Sequence, residues 1–95
     1  MHARLTFITI PSEKTEDIKR IFNGEIAPVV KAQKGTTGIW LLEPTNAADE
    51  FISLTEWESE ADATTYESSG TYRALVDKIK DIYTSRPVLK KYNVA

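Results

Sequence analysis

The sequence predicts an α+β domain whose elements follow in the order β-α-β-β-α-β, and three observations support this. Two stretches with helical apolar periodicity each follow a strand-like stretch. The two central strand-like stretches are separated only by a short polar link, as in a hairpin. The chain has 95 residues, which is enough for one domain. We therefore expect residues 1–95 to fold as a single unit.

The first strand is predicted at residues 3–10, ARLTFITI, which are rich in β-branched and aromatic side chains. Pro11 would end it, because proline has no amide hydrogen to donate to the strand ladder.

The first helical region is predicted to begin at Ser12 or Thr15, either of which can cap a helix, and to end at Gly35. Pro28 lies inside it, where a proline costs about 3 kcal/mol. The apolar pattern continues across the proline, so we expect a kink or a restart near Gly24–Pro28. The residues of this pattern are Ile18, Ile21, Phe22, Ile26, Val29 and Val30.

The second and third strands are predicted at residues 38–45, GIWLLEPT, and 50–58, EFISLTEWE. Ser59 is then predicted to cap the second helical region, which Gly70 interrupts and Thr71 restarts.

An apolar stripe follows this restart, and residues 88–94, VLKKYNV, are predicted as the last strand after a break at Pro87. The order of elements is the ferredoxin-like, or split βαβ, arrangement, which gives a four-stranded antiparallel sheet with its helices on one face. The stripe comprises Tyr72, Leu75, Val76, Ile79, Ile82 and Tyr83.

Both faces of the predicted sheet are apolar over much of their length. In the third strand, Phe51 and Trp57 share one face while Ile52 and Leu54 lie on the other. A sheet with helices on one side only should expose a polar second face. The simplest cover is the same face of a second copy, which predicts a two-fold homodimer. The alternative that stays open is a monomer with a partly apolar open face.

The composition disfavours several functional classes. The net charge of −2 opposes binding to phosphates, and the third strand lacks the basic and glycine start of an RNA-recognition segment, so no nucleic-acid partner is expected. The absence of cysteine excludes thiolate nucleophiles and sulfur-ligated zinc, and His2 is the only histidine, so no metal site is expected. No apolar run is long enough for a membrane span. We expect a cytoplasmic protein.

The segment SLTEWESEADA at residues 53–63, followed by a helix, an SSGTY break and a second helical stretch, resembles the antibiotic biosynthesis monooxygenase (ABM) family. The resemblance covers almost the whole chain. It implies a dimeric α+β barrel with a ligand cavity between sheet and helices in each subunit. Members of this family include oxygenases that need neither metal nor flavin and act on quinol-like or polyphenolic substrates. Others degrade haem, isomerise small metabolites or have no known reaction.

The resemblance transfers only some site residues. In the cofactor-free polyketide oxygenases the tryptophan of the matching segment lies at the site, and Trp57 retains it. The asparagine four residues earlier is Ser53 here, and the tyrosine six residues later is Ala63.

The site residues of the haem-degrading members are not retained in this sequence. An ungapped match puts Ala3, Tyr66 and Val76 at the positions of its asparagine, tryptophan and axial histidine. Valine cannot ligate iron, so haem binding is not expected.

Each candidate cavity residue could bind a ligand or could have only a structural role. Trp57 could stack on a flat ligand or simply fill the core, and Ser53 could bind a ligand hydroxyl or be an ordinary strand residue. The tyrosines could anchor a ligand through their phenols or pack at the helix rim. The candidates are Trp57, Ser53, Tyr66, Tyr72, Tyr83 and Phe22.

The charged residues are expected to lie at the surface. His2 should fray with the chain start, Arg4 and Arg73 could orient an anionic substrate or be surface charges, and Glu56 and Glu58 should be solvated.

The leading hypothesis is a cofactor-independent monooxygenase acting on a small aromatic substrate, with no catalytic residue identified. The alternative is a non-catalytic module of the same fold that binds a small ligand or dimerises. The geometry around Trp57 is needed to distinguish these two hypotheses.

Overall fold

The fold is the predicted α+β arrangement, seen in a computed structural model that describes all residues from Met1 to Ala95. The strand order is β2-β3-β1-β4 and every pairing is antiparallel. The strands are β1 (His2–Ile8), β2 (Thr36–Leu42), β3 (Phe51–Trp57) and β4 (Val88–Asn93). The helices are α1 (Thr15–Ile21), α2 (Ala27–Lys31), α3 (Glu60–Glu67) and α4 (Gly70–Ile79). None of these helices combines the length and the apolar character that crossing a membrane requires.

The first strand is shifted towards the chain start relative to the prediction. It begins at His2, which pairs with Trp57 of β3 and Asn93 of β4, and it ends at Ile8. The expectation that His2 is frayed is wrong, since only 3% of it is exposed. Two neighbouring strands hold this residue in place, which a pattern of local residues does not reveal.

The first helical region restarts where the sequence predicted. After α1 the chain forms a π-helical segment, Phe22–Ile26, and α2 then begins with Pro28 in its first turn. A proline is tolerated in a first turn because its missing amide hydrogen would have no helical partner there. The wider π turn keeps the apolar residues on one side across this junction.

The predicted cap of the first helix is wrong. A short 3₁₀ turn, Ser12–Lys14, precedes α1, and neither Ser12 nor Thr15 accepts a hydrogen bond as a side-chain cap. Instead the Thr15 hydroxyl donates to the Ser12 carbonyl at 2.9 Å.

The second helical region is capped twice. The Ser59 hydroxyl accepts from the amide of Asp62 at 3.2 Å, as predicted. The restart is capped by Ser69, whose hydroxyl accepts from the amide of Tyr72 at 3.2 Å, so the prediction of Thr71 is wrong. Ser69 has the extended backbone that an N-cap requires, whereas Thr71 is already helical.

The core lies between the helices and one face of the sheet. Trp57, Ile18 and Val30 are its largest fully buried side chains. The opposite face has no helix on it, and four large apolar side chains there are at least 40% exposed: Trp40, Leu42, Val88 and Tyr92. The half-buried side chains of Leu5, Phe7, Ile52 and Leu54 lie between them.

Gly35 makes the turn into β2 with a φ of +85°. A Cβ at this position would collide with the side chain of Asp62 in α3. The Gly35 carbonyl also accepts from the amide of Glu58 at 2.8 Å, which ties this turn to the end of β3. Glycine is required here by both backbone angle and space.

Gly35→Ala should lower the free energy of unfolding by about 1–2 kcal/mol, because alanine adopts a positive φ only with strain. Gly24→Ala is the matched control, since nothing outside its own stretch of helix lies within 4 Å of its Cβ position. Within a helical segment this change should stabilise the protein by roughly 0.5–1 kcal/mol. Chemical denaturation measures both, and equal stabilities of the two variants would contradict the role assigned to Gly35.

Candidate ligand cavity

A cavity of about 90 Å³ lies between the helix-facing side of the sheet and the helices. Ten of its 15 lining residues are hydrophobic. Small-molecule sites typically measure about 300–1,000 Å³, and a dry cavity of roughly 150 Å³ can hold benzene. A ring compound can therefore enter only if lining side chains move or if part of the ligand protrudes. The polar lining residues are Arg4, Thr6, Ser53, Thr55 and Glu67.

Four of the candidates predicted from sequence line this cavity: Phe22, Ser53, Tyr66 and Tyr72. Tyr83 lies beyond the end of α4, half-buried, and is not part of the wall. Trp57 is only 1% exposed and does not line the cavity either.

Trp57 contacts the cavity through another residue. Its indole nitrogen donates to the Thr55 hydroxyl at 3.0 Å. Its ring stacks on Tyr66 with centroids 5.3 Å apart and planes inclined by 28°. Tyr66 then meets Tyr72 edge-on, again with centroids 5.3 Å apart. The tryptophan thus supports the back of Tyr66, and Tyr66 and Tyr72 form the aromatic wall.

The two phenols of this wall are neutral at ordinary pH, and burial extends the neutral range towards more alkaline pH. Desolvation raises the pKa of Tyr66 well above its ordinary value of 10.0, and neighbouring Tyr72 adds to the rise. Burial also raises the pKa of Tyr72, followed by the effect of Tyr83, while Arg4 opposes the rise. Neutral phenols can donate a hydrogen bond to a ligand oxygen.

The least expected residue in the wall is Arg4, which is only 2% exposed. Its Nε donates to His2 Nε2 at 3.0 Å and its Nη2 donates to the Thr64 hydroxyl at 3.1 Å. Its Nη1 forms a salt bridge with Glu67. Because His2 Nε2 accepts, the proton of this imidazole lies on Nδ1, which faces Asn93 Oδ1 at 3.5 Å.

Two partners of Arg4, Thr64 and Glu67, come from a distant part of the chain. The face of β1 on which Arg4 lies could nevertheless be predicted from the sequence. Strand alternation puts it on the same face as Ile8, which is a core residue. Desolvation lowers the pKa of Arg4, with Glu60 and Tyr72 opposing this, and a guanidinium remains charged under ordinary conditions.

The other charged candidates lie outside the cavity. Arg73 is exposed on α4, and Glu58 is exposed after β3. Glu56 lies on the open sheet face, where its carboxylate accepts from the Thr37 hydroxyl at 3.1 Å. No three histidine or acidic side chains come together in a group that could hold a metal ion.

Residues 1–78 match the sequence profile of the family described as antibiotic biosynthesis monooxygenase. The chain belongs to this family. Among curated proteins the comparison found no match.

Several solved structures have the same fold. A candidate antibiotic biosynthesis monooxygenase from Bordetella bronchiseptica superposes with a TM-score of 0.86 at 12% identity, covering 99% of this chain and 96% of that one. One from Nitrosomonas europaea has a TM-score of 0.83 at 15% identity, covering 99% and 98%. The haem degrader MhuD from Mycobacterium tuberculosis, with two haems bound in its active site, has a TM-score of 0.83 at 19% identity, covering 99% and 95%. At these identities the likeness establishes the fold alone.

The buried phenol of Tyr66 should make the protein sensitive to alkaline pH. Its pKa is higher in the folded chain than in the unfolded one, so its contribution is complete below about pH 10 and is lost as pH rises towards the folded-state pKa. Over that window Tyr66 should lower the free energy of unfolding by about 1.4 kcal/mol per pH unit. Denaturation of Tyr66→Phe and wild type at increasing pH measures this difference. A pH dependence of Tyr66→Phe identical to that of wild type would refute the assignment.

Proposed function

We propose that this protein is a cofactor-independent monooxygenase that oxidises a small electron-rich aromatic substrate of the quinol or polyphenol type. The observation that carries the proposal is the cavity itself, in which an apolar lining surrounds phenol and hydroxyl groups. Membership of the ABM family supports the same class of reaction.

The reaction needs no electron source besides the substrate. A hydroquinone with a free ring position and dioxygen give a hydroxyquinone and water. One oxygen atom forms a bond to the ring carbon, and the other leaves as water with two hydrogens from the substrate. The substrate supplies all four electrons, so its deprotonated form, which is richer in electrons, is the form that reacts with dioxygen.

The protein's contribution is orientation and the removal of water. Apolar side chains such as Phe22, Ile26 and Leu75 would hold the ring, while Ser53 and Tyr72 would bind its oxygens. In this proposal Trp57 acts behind the wall, by fixing the ring of Tyr66. Tyr83 affects the pKa of Tyr72, but it is not part of the cavity wall and has no direct role in this proposal.

A second candidate function is a non-catalytic module that binds a small ligand or dimerises. The size of the cavity, about 90 Å³, favours it, since this is less than one benzene ring occupies in known dry cavities. The two functions differ in whether dioxygen is consumed.

Haem is not part of the proposal, although MhuD binds two haems. Val76 lies in the cavity wall and offers no atom that could ligate iron. Haem is also far larger than the cavity, so binding it would require the helices to separate from the sheet.

The homodimer predicted from sequence is part of the proposal, with the open sheet face as its interface. Trp40, Leu54 and Leu5 lie in one row across three strands of that face. Trp40 is 48% exposed and Tyr92, on the edge strand, is 49% exposed. A second copy would bury this surface against an identical one.

Oxygen consumption tests the catalytic proposal. With a panel of hydroquinones and anthrones, wild type should consume oxygen faster than the spontaneous reaction, and the oxidised product should be absent under anaerobic conditions. Tyr72→Phe should lower the rate about tenfold, the effect of losing one hydrogen bond worth about 1.4 kcal/mol. Thr65→Val removes a hydroxyl group at an exposed position of α3 outside the cavity and should leave the rate unchanged. Oxygen uptake no faster than background on every substrate would favour the non-catalytic module.

Sedimentation at micromolar concentration tests the dimer. Wild type should sediment as twice the 10.7 kDa chain. Leu54→Glu should give a monomer, because the interface would bury an unpaired carboxylate at a cost of several kcal/mol. Ala74→Glu adds the same charge at an exposed position of α4 and should remain dimeric. A folded wild-type monomer at this concentration would contradict the proposed interface.

A further inference from the structure

We propose that Arg4 is the anion-binding residue of the cavity, so that its ligand is a small planar molecule carrying an anionic oxygen, a carboxylate or a phenolate. The inference rests on the proposed function only in placing the ligand in the same cavity. It adds the charge of the ligand and the residue that recognises it.

The guanidinium has donors left over for such a ligand. It carries five N–H groups. One on Nε goes to His2, one on Nη2 to Thr64 and one on Nη1 to Glu67. Each Nη therefore retains one N–H group, and Arg4 lines the cavity. A fork of donors of this kind is well suited to a carboxylate or to a single negatively charged oxygen.

The three existing partners fix the guanidinium before any ligand arrives. His2 and Thr64 hold it by neutral acceptors, which leave its charge in place. Glu67 is the only one of the three that is charged, and its side chain is 23% exposed. Solvent therefore weakens the neutralising effect of Glu67, while Arg4 itself is almost fully buried, which strengthens its attraction for an anion.

The rest of the cavity sets the shape of the ligand. The wall opposite the polar strand residues is apolar and includes Phe22, Leu75 and Ile79. The neutral phenol of Tyr72 lies close enough to Arg4 for each to affect the other's ionisation. A ligand with a flat apolar ring would fit the apolar wall, and one charged oxygen on that ring would lie next to Arg4 and Tyr72. In the proposed reaction, this residue would favour the phenolate, which is the form that gives up electrons to dioxygen.

A pair of probes that differ in charge tests this inference. Benzoate and benzamide have nearly the same size and shape, and only benzoate is an anion. Titrations of the full chain by nuclear magnetic resonance should give a dissociation constant for benzoate about tenfold lower than for benzamide, as expected for a charge-assisted hydrogen bond. Equal affinities, a preference for benzamide, or no shift at cavity residues with either probe would each overturn the inference.

Two variants separate recognition from structural support. Glu67→Gln keeps an acceptor for Arg4 and removes its counter-charge, so benzoate should bind several-fold more tightly while benzamide is unaffected. The double variant Arg4→Met with Glu67→Met removes both charges together, and exchange of a buried ion pair for apolar residues is often tolerated. Its preference for benzoate should disappear. If Arg4 had only a structural role, the ratio of the two affinities would be the same in all folded variants.

Arg73→Met is the matched control, because it removes an exposed arginine outside the cavity and should leave the ratio at the wild-type value. Should the double variant fail to fold, Glu67→Gln decides the question by itself. The result is independent of the oxygen assay. A benzoate preference without oxygen uptake overturns the proposed function and leaves the anion site standing, whereas oxygen uptake without a benzoate preference overturns only the anion site.

Discussion

The register between the two central strands is the constraint on which the rest of the molecule depends. Arg4 lies opposite Thr55, and Thr6 lies opposite Ser53, so a polar patch forms in the middle of the helix-facing side of the sheet. Large apolar residues lie at both ends of this patch, among them Trp57. The helices pack on those ends, and the short polar side chains between them leave space unfilled. The cavity is a consequence of this pattern, and so is the apolar open face, because a strand's side chains alternate between its two sides.

The aromatic row at one end of this patch explains why a large core tryptophan can influence a site that it does not line. Trp57 stacks on Tyr66, and Tyr66 meets Tyr72 edge-on. Aromatic contacts of these geometries contribute about 0.5–1.5 kcal/mol each beyond the buried area. They come from β3, α3 and α4, so the row joins the sheet to both helices of the second half. The position of α4, which supplies much of the cavity wall, therefore depends on a residue in the core.

Much of the fold could be predicted from the sequence because it is encoded locally. The period of the apolar residues gave the elements, and Pro28 in an unbroken apolar pattern indicated the restart that the π segment provides. The cavity could be predicted only in part. Ser53 and Tyr72 follow from strand alternation and helix periodicity, but the buried state of Arg4 depends on Thr64 and Glu67, which lie at least 60 residues away. Charged residues are rarely buried unless they are paired, so the sequence favoured a surface position for this one.

Proteins that share a fold can differ in chemistry, because the reaction depends on the residues that line the cavity. MhuD, with the same fold and 19% identity, holds two haems in its active site. This chain has a small cavity whose lining includes the buried cation of Arg4. An arginine there is costly to bury, and a chain that needed only a packed core could fill the site with apolar residues at no loss of stability. Within this structure His2, Thr64 and Glu67 together satisfy three of its five N–H donors, and two N–H groups remain. A charge that is held so firmly next to an apolar space is best explained by a ligand of opposite charge, and the identity of that ligand is the property in which this member would differ from its relatives.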